Sequence, residues 1–331
     1  MAGRRRKKSG GRSYAWRYRG RIVACVFVEI LIICALVIMI GWNKGVKEWF
    51  EQFEQPVLKE VDISGINSPN AILMQARGGK ILGEINGEAQ IYPASMTKIM
   101  TVILGIENFD DLDEKITLTN EMFSGLYEQD ATQAGFQPGE EVRVIDLLYG
   151  AMLPSGAECC IALADTISGS EADFAELMNK KARKLGMENT HFCDSTGLHN
   201  PDHYSTVKDI AVLMKYCIKN DTFREIVETS RHSTGVTNIH PDGITYYSTM
   251  FKNLSDPTVT GGKILGGKTG YTSEAGHCLV SFAEIEGREY IFVSAGASGA
   301  DGNTIPHIQD AVTVYNRVGA AIEEKMNDNN K

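Results

Sequence analysis

Few features of this sequence would support a cross-linked or repetitive scaffold. The seven cysteines are Cys25 and Cys34 in one apolar run, the neighbours Cys159 and Cys160, and the scattered Cys193, Cys217 and Cys278. Such placement excludes a disulfide framework. Within "ECCIALAD", Cys159 and Cys160 read as small apolar packing residues of a buried helix, not as redox or metal groups. No internal repeat or low-complexity segment is present, so the chain is not a repeat array. Its 331 residues, 43% of them hydrophobic, exclude disorder throughout and are enough for one large domain or two small ones with a real core.

Acidic residues are missing from positions 1–21, where Arg4, Arg5, Arg6, Lys7, Lys8, Arg12, Arg17, Arg19 and Arg21 stand. The apolar run Ile22 to Trp42 follows, with 21 residues that as a helix reach roughly 30 Å, one hydrocarbon core. A basic flank before such a run predicts a cytoplasmic N-terminus and an extracellular remainder. The alternative is a cleaved signal peptide with Ile30 to Trp42 as its apolar stretch, but "MIGWNKGVKEW" has no small-x-small cleavage site. Glu29 lies near the basic end of the span, where it can snorkel or protonate. Setting aside the nine tail cations and Glu29 leaves 24 cations against 41 acids beyond Trp42, a net charge of −17. That balance argues against nucleic acid as a partner, and the basic tail fits orientation and anionic lipid better.

The expected organisation is a cytoplasmic tail over 1–21, a membrane helix over 22–42, a stalk over 43–60, a catalytic domain over 61–325 and a tail over 326–331. In the domain, "AILMQA" and "KILGEIN" flank "RGG" as a hairpin, and "HCLVSFAEI" and "EYIFVSAGA" flank "EGR" as another, with a helix from about Ile308 to Glu324. Between the hairpins, "EVRVIDLLYGAML", "SEADFAELMNKKARKLG" and "TVKDIAVLMKYCIKN" have helical spacing. Ser170 and Thr206 stand three residues before Asp173 and Asp209 as capping signals, and Gly186 follows the second helix. Strands at both ends with helices between them predict a sheet assembled from the two termini of the domain.

The stretch "GGKILGGKTGYT", Gly261 to Thr272, fits two incompatible sites. From Gly262 it satisfies the phosphate-loop pattern that ends in Lys268 and Thr269; from Lys268 it is Lys-Thr-Gly, a signature of active-site serine enzymes. A phosphate loop needs a buried strand before it and a helix after it. Here polar "SDPTVTGGKIL" precedes it and strand-like "YTSEAGHCLVSFAEI" follows, which disfavours nucleotide binding. The serine reading requires Ser-x-x-Lys upstream, and this occurs as "SMTK" (Ser95 to Lys98) and "STVK" (Ser205 to Lys208). Pro93 and the apolar run behind Ser95 put that serine in a first helical turn, with Lys98 one turn later on the same face. A neutral Lys98 amine there would take the Ser95 proton, with its pKa depressed by burial and by Lys268 as a nearby cation. Ser205 precedes the capping Thr206 and reads as an ordinary helix start.

"PASMTKIMT", "LPSGAE", "HFCDSTGLHNPDHYST" and "GGKTGYTSEAGH" occur in the order found in D-alanyl-D-alanine carboxypeptidases, the low-molecular-mass penicillin-binding proteins, which the chain resembles from about Val61 to Glu324. The resemblance implies an α+β fold of the serine β-lactamase type: a five-stranded antiparallel sheet flanked by helices, plus a helical lobe. It implies a stem peptide ending in D-Ala-D-Ala as substrate, β-lactams as acylating inhibitors, and no metal or other cofactor. By motif, Ser95 would be the nucleophile, Lys98 its base and Ser155 a proton relay. Lys268, Thr269 and Gly270 would bind substrate, and the backbone N–H groups of Ser95 and Tyr271 would form the oxyanion hole.

One departure is chemical: the family's second motif usually reads Ser-x-Asn, here Ser155-Gly156-Ala157. Loss of one polar contact to a transition state costs about 2 to 4 kcal/mol, unless Glu158 or water substitutes. The other is that many relatives continue into a β-rich domain and an amphipathic helix, whereas this chain ends at Lys331. Three rivals stay open: a catalytically weakened wall binder or β-lactam sensor; a class A-like β-lactamase, for which Glu158 is the available carboxylate; and a zinc peptidase using His191, His199 and His203.

Overall fold

The computed structural model describes residues 58–254, 256–299 and 305–329, together with Ile30. The expected tail over 1–21, the expected span apart from Ile30, and most of the stalk lie outside the described residues. Among the described residues no helix is long and apolar enough to cross a membrane. The described fold belongs to one compact unit, Val57–Lys331.

Strands β1 (Asn70–Gln75) and β2 (Ile81–Ile85) form the first hairpin. Gly78 and Gly79 at its tip have φ of 84° and 71°, the left-handed region glycine enters without strain. A 3₁₀ turn, Ala94–Thr97, leads into α1 (Lys98–Asn108). After β3 (Lys115–Thr117) and β4 (Glu141–Arg143) come α2 (Val144–Met152), α3 (Ala157–Ser168), α4 (Glu171–Leu185), α5 (Val207–Cys217) and α6 (Asp221–Glu228). Strands β5 (Arg231–Ser233) and β6 (Thr245–Tyr247) pair beside α7 (Thr249–Asn253). The chain closes with β7 (Thr258–Val259), β8 (Gly262–Thr272), β9 (Gly276–Ile285), β10 (Arg288–Ala297) and α8 (Pro306–Asn329).

The main sheet has the order β2-β1-β10-β9-β8-β7, and its pairs are antiparallel. The first and last strands of the domain meet as expected, with Asn70 opposite Ala295 and Gln75 opposite Tyr290. Instead of five strands there are six. The sixth, β7, is two residues long and pairs only with Gly262 and Lys263, so among the described residues the Gly266–Thr272 part of β8 has no strand on that side.

Alternation along the strands divides the core into two layers. Ile72, Val280, Phe282, Ile291 and Val293 join the cluster of α1, α2, α3 and α5, whereas Leu73, Leu279, Ala283 and Phe292 join the cluster of Val314, Tyr315 and Val318 on α8. Each fully buried aliphatic or aromatic side chain contributes about 1.5–3 kcal/mol by leaving water. Helix α1 is buried from Lys98 through Gly105. It therefore runs through the middle of the helical layer, and its first residue is an amine.

The helix signals read from sequence have local causes. Ser170 accepts from the Asp173 N–H at 3.1 Å and Thr206 from the Asp209 N–H at 3.0 Å, while Gly186 closes α4 at φ 80°. Two boundaries differ. "EVRVIDLLYGAML" divides into β4 and α2, because Glu141 to Arg143 pair with Thr117 to Lys115 before the helix begins. The last helix extends to Asn329, into the segment expected as a tail.

Candidate active site

Ser95 lies in the 3₁₀ turn and Lys98 opens α1, so the expected first α-helical turn is a tighter one. In a 3₁₀ turn side chains at i and i+3 eclipse. Lys98 Nζ accordingly lies 3.0 Å from Ser95 Oγ. Ser155 Oγ is also 3.0 Å from Ser95 Oγ, and Lys268 Nζ is 3.0 Å from Ser155 Oγ. The four side chains form one unbroken polar line from α1 to β8.

Backbone strain flanks this line on both sides. Ala94 has φ of 46° and Ser155 has φ of 72°, left-handed values that cost non-glycine residues about 1–3 kcal/mol each and gather at functional sites. Ser155 sits in the short link between α2 and α3. From strand β8, Lys268 also donates to the Thr269 carbonyl at 2.9 Å, and Thr269 Oγ1 lies 2.7 Å from Thr249 Oγ1 on α7. A Cβ added to Gly270 would lie 2.9 Å from Ser95 N and 3.1 Å from Ala94 Cβ. Glycine there lets the β8 backbone approach the turn that carries Ser95. Tyr271 is exposed at the rim, its ring 4.7 Å from that of His277 opposite it on β9.

Both lysines are buried, and desolvation lowers the pKa of each. Cys160, Asp194, Glu158 and Cys159 act against that lowering at Lys98. Lys268 falls well below the ordinary range, with Lys98 adding to the effect of burial. Repulsion between two ammonium groups is mutual, so protonation of either amine disfavours protonation of the other. An anion arriving beside Lys268 would restore its charge and leave Lys98 as the neutral member.

Sequence reasoning missed the second partner of Lys98, the Thr196 carbonyl at 2.6 Å. A backbone oxygen has no sequence signal of its own, although the segment that supplies it stood out as "HFCDSTGLHNPDHYST". Ala157 is the buried first residue of α3, and its N–H donates to the Thr132 carbonyl at 2.8 Å. Glu158 does not replace an amide toward Lys98. Its Oε1 accepts from the Ala134 and Gly135 N–H groups at 2.6 and 3.0 Å, and burial raises its pKa.

The three histidines proposed for zinc have separate partners. His191 Nδ1 meets the Asp202 carbonyl at 2.7 Å, His199 faces Glu274 at 3.9 Å, and His203 lies between Thr97 at 2.9 Å and Asp194 at 3.1 Å. Among the described residues no group of three or more His, Cys, Asp or Glu has a metal-holding arrangement. The phosphate-loop reading fails on topology, since Gly262–Thr272 is a strand paired with β9 and no helix follows it. Lys208 pairs with Glu88, and Ser205 precedes the Thr206 cap. Burial pushes the Cys160 thiol up to about 12 and Cys159 well upward, consistent with packing roles.

A sequence profile described as D-alanyl-D-alanine carboxypeptidase matches residues 57–299. D-alanyl-D-alanine carboxypeptidase DacF of Bacillus subtilis is 35% identical over 231 residues, covering 69% of this chain and 57% of the relative. The D-alanyl-D-alanine carboxypeptidase of Streptomyces sp. K15 is 35% identical over 236 residues, covering 69% and 78%. A solved structure of a Streptomyces K15 DD-transpeptidase variant superposes with a TM-score of 0.69 at 30% identity, covering 77% of this chain and 98% of that one. The chain spans 57% of the length of the Bacillus relative and 58% of the Escherichia coli relative DacC. With the profile match across most of the chain and the four motifs converging on Ser95, the chain belongs to the D-alanyl-D-alanine carboxypeptidase family.

Proposed function

We propose that the chain is a serine-type D-Ala-D-Ala carboxypeptidase that removes the terminal D-Ala from peptidoglycan stem peptides. The observation that carries this reading is Ser95 Oγ, held 3.0 Å from both Lys98 Nζ and Ser155 Oγ. Neutral Lys98 takes the Ser95 proton as Oγ attacks the carbonyl of the penultimate D-Ala. The oxyanion is received by the N–H groups of Ser95 and Tyr271, and the substrate carboxylate by Lys268 and Thr269. As the C–N bond breaks, the proton passes from Lys98 through Ser155 to the departing amine, releasing D-Ala. Water then cleaves the Ser95 ester and frees the shortened peptide. β-Lactams enter the same path and stop at the acyl stage.

The apolar run Ile22 to Trp42 behind nine cations supports an uncleaved anchor, with the N-terminus cytoplasmic and the catalytic domain extracellular. Ala157 supports a second reading, a penicillin-binding wall binder or sensor with weakened turnover. Glu158 is bound to the Ala134–Gly135 backbone, and no hydrogen bond among the described residues joins it to Ser95, Lys98 or Ser155, which disfavours it as a β-lactamase's water-activating base.

The test is intact mass after incubation with a penicillin, with Ser95→Ala alongside, and D-Ala release from a peptide ending in D-Ala-D-Ala. One stable adduct absent from the variant, together with D-Ala release, is expected. An adduct without D-Ala release would leave the sensor reading. Absence of an adduct would remove acylation of Ser95 by penicillin.

A further inference from the structure

The Thr196 carbonyl that meets Lys98 belongs to a turn whose donors converge on one carboxylate. Asp194 Oδ1 accepts from Thr196 N–H, Thr196 Oγ1 and Gly197 N–H, each at 2.7 Å. Asp194 Oδ2 lies 3.1 Å from His203 Nδ1, and His203 Nε2 lies 2.9 Å from Thr97 Oγ1. Thr97 immediately precedes Lys98. The contacts therefore close a ring, from Thr97 through His203, Asp194 and Thr196 to Lys98, that begins and ends on the turn carrying Ser95.

The ring is tightly seated and buried except at Asp194, whose side chain is 21% exposed. His203 and Thr196 are each 2% exposed and Thr97 is fully buried. Gly197, at φ 79°, allows the turn to lie against the nucleophile's turn: a Cβ there would be 1.9 Å from the Ala94 carbonyl oxygen and 2.8 Å from Thr97 Oγ1. Phe192 meets the His203 ring edge-on at 5.5 Å, fixing the remaining face.

We propose that Asp194 and His203 are positioning residues for Lys98, fixing the Thr196 carbonyl against its amine in place of the amide that Ala157 lacks. The inference rests on the acyl-transfer reading above. A lysine head on a four-carbon stem must stay within hydrogen-bond reach of Ser95, and a 1 Å misplacement costs on the order of 10²-fold in rate. A carbonyl suits this task because it accepts from the amine and from the ammonium alike, so it holds Lys98 before and after proton transfer. His203 and Thr190 to Thr196 are distant in sequence from Ser95, yet this chain's aspartate and histidine join them into one support. The groups acting on Lys98 are Cys159, Cys160 and Glu158 of α3 and Asp194 of the turn, and the buried amine of Lys268 on β8 faces the same serine pair.

The full chain is compared with His203→Gln and Thr97→Val, singly and together, by the second-order rate of acylation by a penicillin and by thermal midpoint. Each single variant is expected to lose about 10- to 10²-fold in acylation, and the double variant to lose no more than the worse single one, since one device is broken. Ala157→Asn is then added to the wild type and to His203→Gln. Its gain should be larger in the second background, because a second-motif amide supplies the orientation that the ring no longer provides. A purely structural role would lower the midpoint and leave that gain the same in both backgrounds. Single variants within about twofold of the wild type, or equal gains from Ala157→Asn, overturn the inference alone. A wild type that no penicillin acylates overturns the serine reading and this inference with it. Thr97→Val, which removes one hydroxyl, carries the test if His203→Gln does not fold.

Discussion

Lys268 Nζ donates to Ser155 Oγ across 3.0 Å, and that contact ties the sheet edge to the serine pair of the helical layer. Lys268 is 1% exposed, and burial together with Lys98 holds its pKa well down. Buried amines in this state gain most from an anion, because a carboxylate both neutralises the charge and accepts its hydrogen bonds.

Replacing Lys268 with Gln should therefore act through the substrate's terminus. On a peptide ending in free D-Ala-D-Ala, kcat/KM should fall about 10²- to 10³-fold, the usual effect of removing a fixed transition-state contact. On the same peptide capped as a C-terminal amide, the fall should be much smaller, since wild type has no carboxylate to hold. Steady-state kinetics on the two peptides give the comparison. Equal losses on both would assign Lys268 to the proton path through Ser155 instead of carboxylate binding.

Gly270 offers a separate test of how closely β8 must approach Ser95. Its φ is not in the left-handed region, so alanine brings no backbone strain, only a methyl 2.9 Å from Ser95 N. That methyl pushes the strand edge away from the turn that carries Ser95. Gly270→Ala should lose on the order of 10²-fold in penicillin acylation while keeping most of its stability, because the displaced contact lies at the cleft and not in the core. Acylation kinetics and a thermal melt check both halves. A wild-type rate would show that β8 and the Ser95 turn separate without consequence.

What was legible in the sequence was local. Ser95 and Lys98, the caps at Ser170 and Thr206, and both hairpins each rest on residues within a few positions of one another, where spacing and turn chemistry decide the outcome. The tight 3₁₀ turn under Ser95 was not legible, because the segment packed closely against it, with Gly197 on the Ala94 carbonyl, comes from about a hundred residues away. Nor was the left-handed backbone at Ser155, since serine has no intrinsic preference for it and the surrounding packing imposes it. Strand β7 escaped notice because two residues carry no periodicity. The Thr196 carbonyl escaped because every residue has one.

His307 provides a pH-dependent test away from Ser95. It lies in the first turn of α8, 4% exposed, with Nδ1 lacking a hydrogen-bond partner among the described residues and its ring stacked 5.0 Å from that of His277. Burial, and secondarily His277, lower its pKa to about 4, with Asp310 opposing. In the unfolded chain the imidazole returns to the ordinary value near 6.5. Between these two values the unfolded state binds a proton that the folded state does not, so stability rises with pH and falls as the solution is acidified. The stabilisation from keeping His307 neutral is thus fully present above the unfolded value and is lost as pH falls toward 4. At one pKa unit per 1.36 kcal/mol, acidifying from pH 7 to pH 5 removes about 2 kcal/mol through this group. His307→Phe keeps an aromatic ring against His277 and cannot take the proton. Urea unfolding of both proteins at the two pH values should show the variant losing about 2 kcal/mol less on acidification, with acid-sensitive groups remote from His307 cancelling in the difference. Equal losses in the two proteins would mean that His307 finds a proton acceptor in the folded state and is not held neutral by its burial.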